Sequence, residues 1–211
     1  MDAAVFQAWI VTAAEVIEAN RDHLTQLDAA IGDADHGINL ARGFTAVLDA
    51  MDAPAGPRTP GAILALTGNT LISKVGGASG PLYGTAFRRA GKSLGDAADV
   101  DLPALSAALD AALAGVQQLG AAREGDKTMV DALAAATRAF GKAIAEGASA
   151  DEALDALTEA AEAGAEATIS MQALKGRASY LGPRSVGHED PGAVSTAFIL
   201  GALRDAARAG R

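Results

Sequence analysis

Three aspartates and a histidine lie within nine residues near the start of the chain, in the segment Asp28-Ala-Ala-Ile-Gly-Asp-Ala-Asp-His. Asp28, Asp33 and Asp35 repel one another when they are charged and close together, and a bound cation removes that repulsion. Ligand sets made only of oxygen atoms select hard ions, Mg²⁺ before Ca²⁺, and a Mg²⁺ site leaves room for the phosphates of a substrate. The cluster therefore predicts a Mg²⁺ site.

A plainer interpretation is available for each aspartate alone. An aspartate at a helix end commonly caps exposed amides, and Asp28 by itself needs no metal. Three carboxylates at this spacing, with His36 beside them, favour the metal instead. An EF-hand is a poor fit, because Phe44 stands where that loop ends in a bidentate glutamate.

A glycine-rich segment, Gly76-Gly-Ala-Ser-Gly-Pro, comes directly before a helical pattern. Exposed amides at a helix start, with no large side chains in the way, suit a phosphate group, and an ordinary flexible loop explains the segment equally well. It is not a P-loop, because no lysine follows the glycines.

The segment from Lys175 to Gly192 has eighteen residues and no helical or strand periodicity. Connections of this length inside a domain are usually functional or disordered. This one carries Arg177, Arg184 and His188, and its interspersed apolar residues argue against disorder.

The rest of the chain consists of amphipathic, alanine-rich helical patterns, about eight in number, with hardly any strand-like alternation. We therefore predict an all-α fold in which every unusual segment is a connection between helices. In an up-and-down array, alternate connections gather at one end of the bundle. Such an array would let the acidic, glycine-rich and arginine-bearing segments surround one ligand.

Length and composition exclude several classes of protein. A chain of 211 residues, half of them hydrophobic but only 4% aromatic, predicts a single domain over residues 1–211 with a core of Ala, Leu, Ile and Val. Cysteine is absent, which excludes disulfides and thiolate metal sites. The chain shows no signal peptide and no apolar run of about 20 residues, so we expect a cytoplasmic protein outside the membrane. A net charge of −9 argues against nucleic-acid binding.

Together these features indicate that the chain binds a nucleotide complexed with Mg²⁺. No Ser/His/Asp or Cys/His nucleophile arrangement is evident, whereas phosphoryl transfer needs mainly positioning and charge neutralisation.

Four motifs then resemble one known family, and they occur in family order over essentially the whole chain. The motifs begin at Leu27, Gly76, Gly125 and Gly176 and read LDAAIGDADHG, GGASGPLYGT, GDKTM and GRASYLGPRSVGHEDPGA. They resemble the nucleotide-binding L subunits of dihydroxyacetone kinases. One departure is visible: Ala34 stands where the family usually has glycine, and its methyl group should be tolerated unless the position needs a positive φ.

The resemblance implies an antiparallel eight-helix barrel that binds ADP, or ATP, and two Mg²⁺ ions in the loops at one end. It implies Asp28, Asp33 and Asp35 as metal ligands and Arg177 as a catalytic residue that also contacts the nucleotide. The other nucleotide contacts that it implies are His36, Gly37, Ile38, Asn39, Ala78 and Ser79 on the phosphate side, Gly120, Thr128 and Met129 at the base and ribose, and the turn Asp190-Pro191-Gly192.

The resemblance also implies partners. In this family a separate K subunit holds the sugar on a histidine, and in phosphoenolpyruvate-dependent systems a phosphohistidine on an M subunit rephosphorylates bound ADP. Other members phosphorylate dihydroxyacetone or a related ketose with exchanging ATP, often with K and L domains fused and in some cases as two separate subunits. A free-standing L chain favours the first version. A regulatory nucleotide-sensing module is the alternative, since family members also contact transcription regulators, but retention of all three aspartates and Arg177 favours a working transferase.

Overall fold

The computed structural model describes residues 1–53 and 56–210, and helices are the regular structure throughout these residues. Residues 54, 55 and 211 of the predicted domain lie outside the described part. The α-helices of the described residues are α1 (Ala3–Ala19), α2 (Arg21–Ile31), α3 (His36–Met51), α4 (Pro60–Lys74), α5 (Ser79–Leu94), α6 (Leu102–Gly120), α7 (Met129–Ala145), α8 (Ala150–Ala167) and α9 (Pro191–Ala209). Two 3₁₀ helices, Thr168–Ser170 and Arg177–Ser185, lie between α8 and α9.

Local capping sets most helix starts. Asp2, Thr59 and Asp101 each accept a hydrogen bond from an amide in the first turn of the helix that follows. Thr128 and Ser149 form capping boxes with an acidic residue three positions later. These side chains satisfy amides that have no partner inside the helix, which is why the helices begin where the sequence places a Ser, Thr or Asp.

Eight of the helices form a closed ring in the order α1, α3, α4, α5, α6, α7, α8, α9, with α9 packed against α1. Neighbours run antiparallel. In α4 and α5, for example, Gly61 faces Gly91 while Gly68, further along, faces Gly84. The remaining helix, α2, lies outside the ring and packs on α3 and α9. The predicted eight-helix barrel is confirmed.

The interior of the barrel combines a few aromatic rings with many small side chains. Trp9 packs against Phe6 and Phe87, with ring centroids 5.8 and 5.7 Å away, and its indole N–H donates to the carbonyl of Ile199 at 2.8 Å. Small residues let the helices approach closely. A Cβ atom on Gly68 would lie 2.5 Å from the carbonyl oxygen of Gly84, so α4 and α5 pack backbone to backbone.

The antiparallel order gathers alternate connections at one end of the barrel, as predicted. The N-termini of α3, α5, α7 and α9 meet there, together with α2 and the segment between α8 and α9. Four helix starts at one end of the barrel bring their positive dipole ends together, which favours an anionic ligand. Among residues 1–53 and 56–210, no helix combines the length and apolar character needed to cross a membrane.

Candidate functional site

An open cleft lies at this end of the barrel. It is lined by residues from every unusual segment of the sequence. The predicted site residues that line it are Asp28, Asp33, Asp35, His36, Ala78, Ser79, Thr128, Met129, Arg177, Asp190, Pro191 and Gly192. The ring therefore brings together residues up to about 160 positions apart in the chain.

The three aspartates form a compact acidic cluster in the cleft. Each of them offers a carboxylate oxygen, and these oxygens lie within 4.8 Å of one another. Asp28 is buried at the end of α2, and its Oδ2 accepts the backbone amides of Asp35 and His36 at 2.8 and 3.1 Å. Asp33 is exposed and Asp35 half-buried, so part of the cluster faces the cleft. This oxygen-only set fits Mg²⁺.

Arg177 brings a positive charge to the same cluster. Its Nη2 lies 2.9 Å from Oδ2 of Asp33, and both side chains remain partly exposed. Arg177 begins the 3₁₀ helix Arg177–Ser185, which is held by Ser185. The hydroxyl of Ser185 donates to the carbonyl of Gly182 at 2.7 Å and accepts the amide of Ala173 at 2.9 Å. The long connection is therefore ordered against the barrel end, and disorder is not the reason for its length.

The start of α5 forms another wall of the cleft. Within the described part of the chain, no side chain caps its first amides, and Ala78 and Ser79 line the cleft beside them. His36 connects this wall to α9. Its Nδ1 lies 3.0 Å from Oγ of Ser79, and its Nε2 lies 2.8 Å from Oγ of Ser195. Burial lowers the pKa of His36, although the charges of Asp28 and Asp35 oppose that shift.

The starts of α7 and α9 complete the cleft. Thr128 caps α7, and Asp190 caps α9 by accepting the amide of Ala193 at 2.8 Å. Burial raises the pKa of Asp190 to about 7, against the smaller effects of its backbone hydrogen bonds and of Lys127. The turn Asp190-Pro191-Gly192 is thereby held next to Met129 and the acidic cluster.

Comparison with known proteins agrees with this arrangement. Residues 30–205 match the model of the DAK2 domain. The chain belongs to the DAK2 domain family. It is 42% identical over 200 residues to the ADP-binding subunit DhaL of the PEP-dependent dihydroxyacetone kinase of Escherichia coli K12, covering 95% of each chain. It is 38% identical over 195 residues to the corresponding subunit of kinase 1 of Listeria innocua, covering 92% of each.

Longer proteins also contain this domain. The chain is 40% identical over 182 residues to the triokinase/FMN cyclase of Homo sapiens, covering 86% of this chain and 31% of that one. This chain superposes on the crystal structure of the dihydroxyacetone kinase of C. freundii in complex with AMP-PNP and Mg²⁺ with a TM-score of 0.68, and the two sequences are 28% identical. The superposition on the native form of that kinase has a TM-score of 0.69. The chain spans about a third of that kinase, 34% of its length.

One position of this DAK2 domain carries backbone strain. Ala34, between two of the clustered aspartates, has a φ of +61°. A Cβ atom disfavours that left-handed conformation, which glycine adopts freely. The position where the motif departs from the family's glycine is therefore one that needs a positive φ, so the alanine methyl group is strained.

Lys127 is a lining residue that the sequence analysis did not single out. It is 1% exposed, has a φ of +60°, and donates from Nζ to the backbone carbonyls of Thr168 and His188. Burial lowers the pKa of its ammonium group, while the nearby acids Asp190 and Asp131 raise it. Lys127 thus ties the connection after α8 to the start of α7. Its place inside the GDKTM motif was the available signal.

A few predicted contacts lie outside the cleft lining, namely Gly37, Ile38, Asn39 and Gly120. Gly37 allows α2 and α3 to touch, because a Cβ atom there would lie 2.0 Å from the carbonyl oxygen of Arg21. Ile38 is 50% exposed, and the buried Asn39 accepts a hydrogen bond from Arg42 at 2.8 Å. Their roles as nucleotide contacts stay predictions.

Proposed function

We propose that this chain is the ADP-binding subunit of a dihydroxyacetone kinase. In this role it holds a Mg²⁺-nucleotide and passes its terminal phosphoryl group to a hydroxyl group of dihydroxyacetone. The observation that carries the proposal is a single cleft in which three carboxylates within 4.8 Å of one another lie beside Arg177 and the uncapped start of α5. Such a site can neutralise and orient a diphosphate, which is most of what phosphoryl transfer asks of a protein.

The proposed role of each side chain follows from its position in the cleft. Asp28, Asp33 and Asp35 would hold the Mg²⁺ ions, two in number, and bound Mg²⁺ would neutralise charge on the phosphates. The amides at the start of α5 and the hydroxyl of Ser79 would donate to phosphate oxygens.

Other residues serve the nucleoside and the transferred group. Thr128, Met129 and the nearby Gly120 would border the ribose and base. Arg177 lies within 2.9 Å of Asp33 and is partly exposed, so its guanidinium group can reach a phosphate bound at the cluster. A cation there stabilises the charge that develops in the transition state.

We assign ADP as a bound cofactor and phosphoenolpyruvate as the ultimate phosphoryl source. Support comes from similarity: the chain is 42% and 38% identical to ADP-binding subunits of two PEP-dependent dihydroxyacetone kinases, covering 95% and 92% of those chains. A phosphohistidine on an M subunit would then rephosphorylate the ADP, and a K subunit would present the sugar. ATP exchanging as a substrate is the competing version.

Exposed apolar side chains support docking of these subunits at the cleft end, in a cytoplasmic complex. Ile38, Leu174 and Tyr180 are 50, 53 and 89% exposed, and each lies within three residues of a residue that lines the cleft. Where such side chains form one contiguous patch, they mark an interaction surface. It would bring the sugar-binding subunit to the site where the phosphoryl group is held.

The test of the metal assignment is calorimetric titration of the nucleotide-free protein with Mg²⁺-ADP. Asp33→Ala and Asp35→Ala should abolish tight binding and leave the helical circular dichroism nearly intact. Asp49→Ala, an exposed aspartate at the opposite end of α3, is the matched control and should bind as the unaltered protein does. Unchanged affinity in the first two variants would refute the metal site.

Two further measurements separate the versions of the function. Denaturing the purified protein and identifying released nucleotide should yield ADP, whereas an empty site would favour exchanging ATP. Turnover with K and M subunits plus phosphoenolpyruvate should be observed, and nucleotide binding without turnover would favour a regulatory sensor.

A further inference from the structure

The long connection between α8 and α9 closes on itself at its base. The amide of Gly187 donates to the carbonyl of Ile169 at 2.7 Å, and the amide of Asp190 donates to Oγ1 of Thr168 at 2.9 Å. These contacts bring together the two ends of the connection, so the residues between them form a compact surface loop. The neck of the loop consists of residues 168–169 and 187–190, and its body consists of residues 170–186.

One side chain from outside the connection bridges the two sides of the neck. Nζ of Lys127 donates to the carbonyl of Thr168 on one side and to the carbonyl of His188 on the other. Lys127 is 1% exposed, so water does not compete for its ammonium group. The preceding residue holds the body of the loop, because the carbonyl of Asp126 accepts the amide of Leu174 at 3.1 Å. The loop is therefore attached to the start of α7 at two points.

The body of the loop has contacts of its own that join its two halves. A small apolar cluster, separate from the barrel core, packs it against α2. The residues of this cluster are Ile31, Ala173, Ala178 and Leu181. Ser185, near the end of the body, adds hydrogen bonds to Ala173 and Gly182. Because the body is joined in this way, its orientation follows the neck. Arg177 belongs to the body and lies 2.9 Å from Asp33, so the neck decides where its guanidinium group lies in the cleft.

A buried ammonium group is a costly means of joining two carbonyls. Moving a charge out of water is unfavourable, and a neutral donor would satisfy the same acceptors at a smaller cost. A charged donor forms the stronger hydrogen bonds, however, and its hydrogens all lie on one atom. Lys127 therefore holds the two sides of the neck at a fixed separation, which is a gain in precision of geometry more than in stability.

We propose that Lys127 is a positioning residue that holds the neck of the loop closed and thereby keeps the guanidinium group of Arg177 at the acidic cluster. The inference rests on the proposed function, because Arg177 serves phosphoryl transfer at that cluster. A displacement of about 1 Å at a reacting group can cost about 10²-fold in rate. Release of the neck therefore slows the transfer while the three aspartates stay in place.

A double-mutant cycle with Arg177 tests the proposal. Lys127→Met keeps an unbranched side chain and removes its donors, and it should lower kcat with K and M subunits and phosphoenolpyruvate by about 10–100-fold. In the Arg177→Ala background the same substitution should lower kcat by less than about threefold, because the effects of residues that act as one unit do not add. Losses that multiply in the double variant would overturn the proposal.

Phe140→Leu is the control for a purely structural loss. Phe140 is fully buried in the barrel core, further along α7, and its replacement leaves a cavity there. This variant should have a lower Tm but an unchanged kcat, with Arg177 present or replaced. If it lowers kcat only when Arg177 is present, as Lys127→Met should, the coupling is not specific to Lys127 and the proposal is overturned.

Hydrogen exchange tests the closed neck without any activity measurement. In the nucleotide-free unaltered protein, the amides of Gly187 and Asp190 should exchange as slowly as amides inside α9, and exchange as fast as in an unstructured peptide would overturn the proposal. Lys127→Met should accelerate exchange of both amides by about tenfold, the equivalent of one hydrogen bond, and unchanged exchange would also overturn it. Absence of turnover by the unaltered protein would instead contradict the proposed function, and the exchange rates would still test Lys127.

Discussion

Replacing Ala34 with glycine should stabilise this protein. Ala34 lies between Asp33 and Asp35 with a φ of +61°. In that left-handed conformation the Cβ atom of an L-residue crowds the following carbonyl oxygen, at a cost of roughly 1–2 kcal/mol. Glycine has no Cβ atom and avoids this cost, so the folded state of Ala34→Gly gains stability at a loop that the rest of the site holds in place.

The greater conformational freedom of glycine in the unfolded chain offsets part of this gain in stability. Glycine loses more conformational freedom on folding than alanine, which costs about 0.5–1 kcal/mol. The net expectation is a rise of up to about 1.5 kcal/mol in the free energy of unfolding. For a chain of 211 residues this corresponds to an increase in Tm of up to about 3–6 °C.

Urea unfolding followed by far-UV circular dichroism measures the difference, in metal-free buffer so that ligand binding does not contribute. Ala30→Gly is the matched control, because Ala30 is exposed within α2, only four residues away. There the same substitution should lower the free energy of unfolding by about 0.8–1 kcal/mol. If Ala34→Gly lowers stability as Ala30→Gly does, the strain argument is refuted.

Two other predictions concern charge. Arg177→Ala should reduce kcat by about 10²–10³-fold while weakening ADP binding much less, because its charge stabilises the transition state. Equal losses in kcat and in affinity would contradict that role. Arg184→Ala, exposed in the same connection beyond the bend at Gly182, should change neither quantity. The pKa of Asp190 is raised from 3.8 to about 7, so the folded state binds this proton more tightly than the unfolded chain does, and stability should fall as the pH rises from about 4 through 7. Urea unfolding across this pH range measures how the free energy of unfolding depends on pH, and Asp190→Asn should remove the part of that dependence due to Asp190. An unchanged pH dependence would show that the pKa of the Asp190 carboxyl group is not raised.

Several site features could be read from local sequence because local contacts produce them. The aspartates from Asp28 to Asp35 are close in the chain, and the backbone amides of Asp35 and His36 fold back onto Asp28. The capping box at Thr128 needs only a residue three positions later. Such short-range geometry follows from residue type and spacing.

Other features depend on contacts or backbone angles that residue type and spacing do not reveal. The buried ammonium group of Lys127 binds carbonyls 41 and 61 positions away. Ser195 looks like an ordinary helical serine until α9 is placed against α3, which brings it to His36. The strain at Ala34 depends on a φ angle that its residue type disfavours.

By itself, the sequence determined the helical class, most helix starts and the chemistry of the acidic cluster, because periodicity, capping and ligand type are properties of neighbouring residues. Only the tertiary structure decided that eight helices close into a ring with α2 outside it, and that Arg177, Ser79 and Asp190 meet the aspartates in one cleft. The physical reason is that ring closure depends on how apolar and small faces pack between helices distant in the chain, which no single segment encodes.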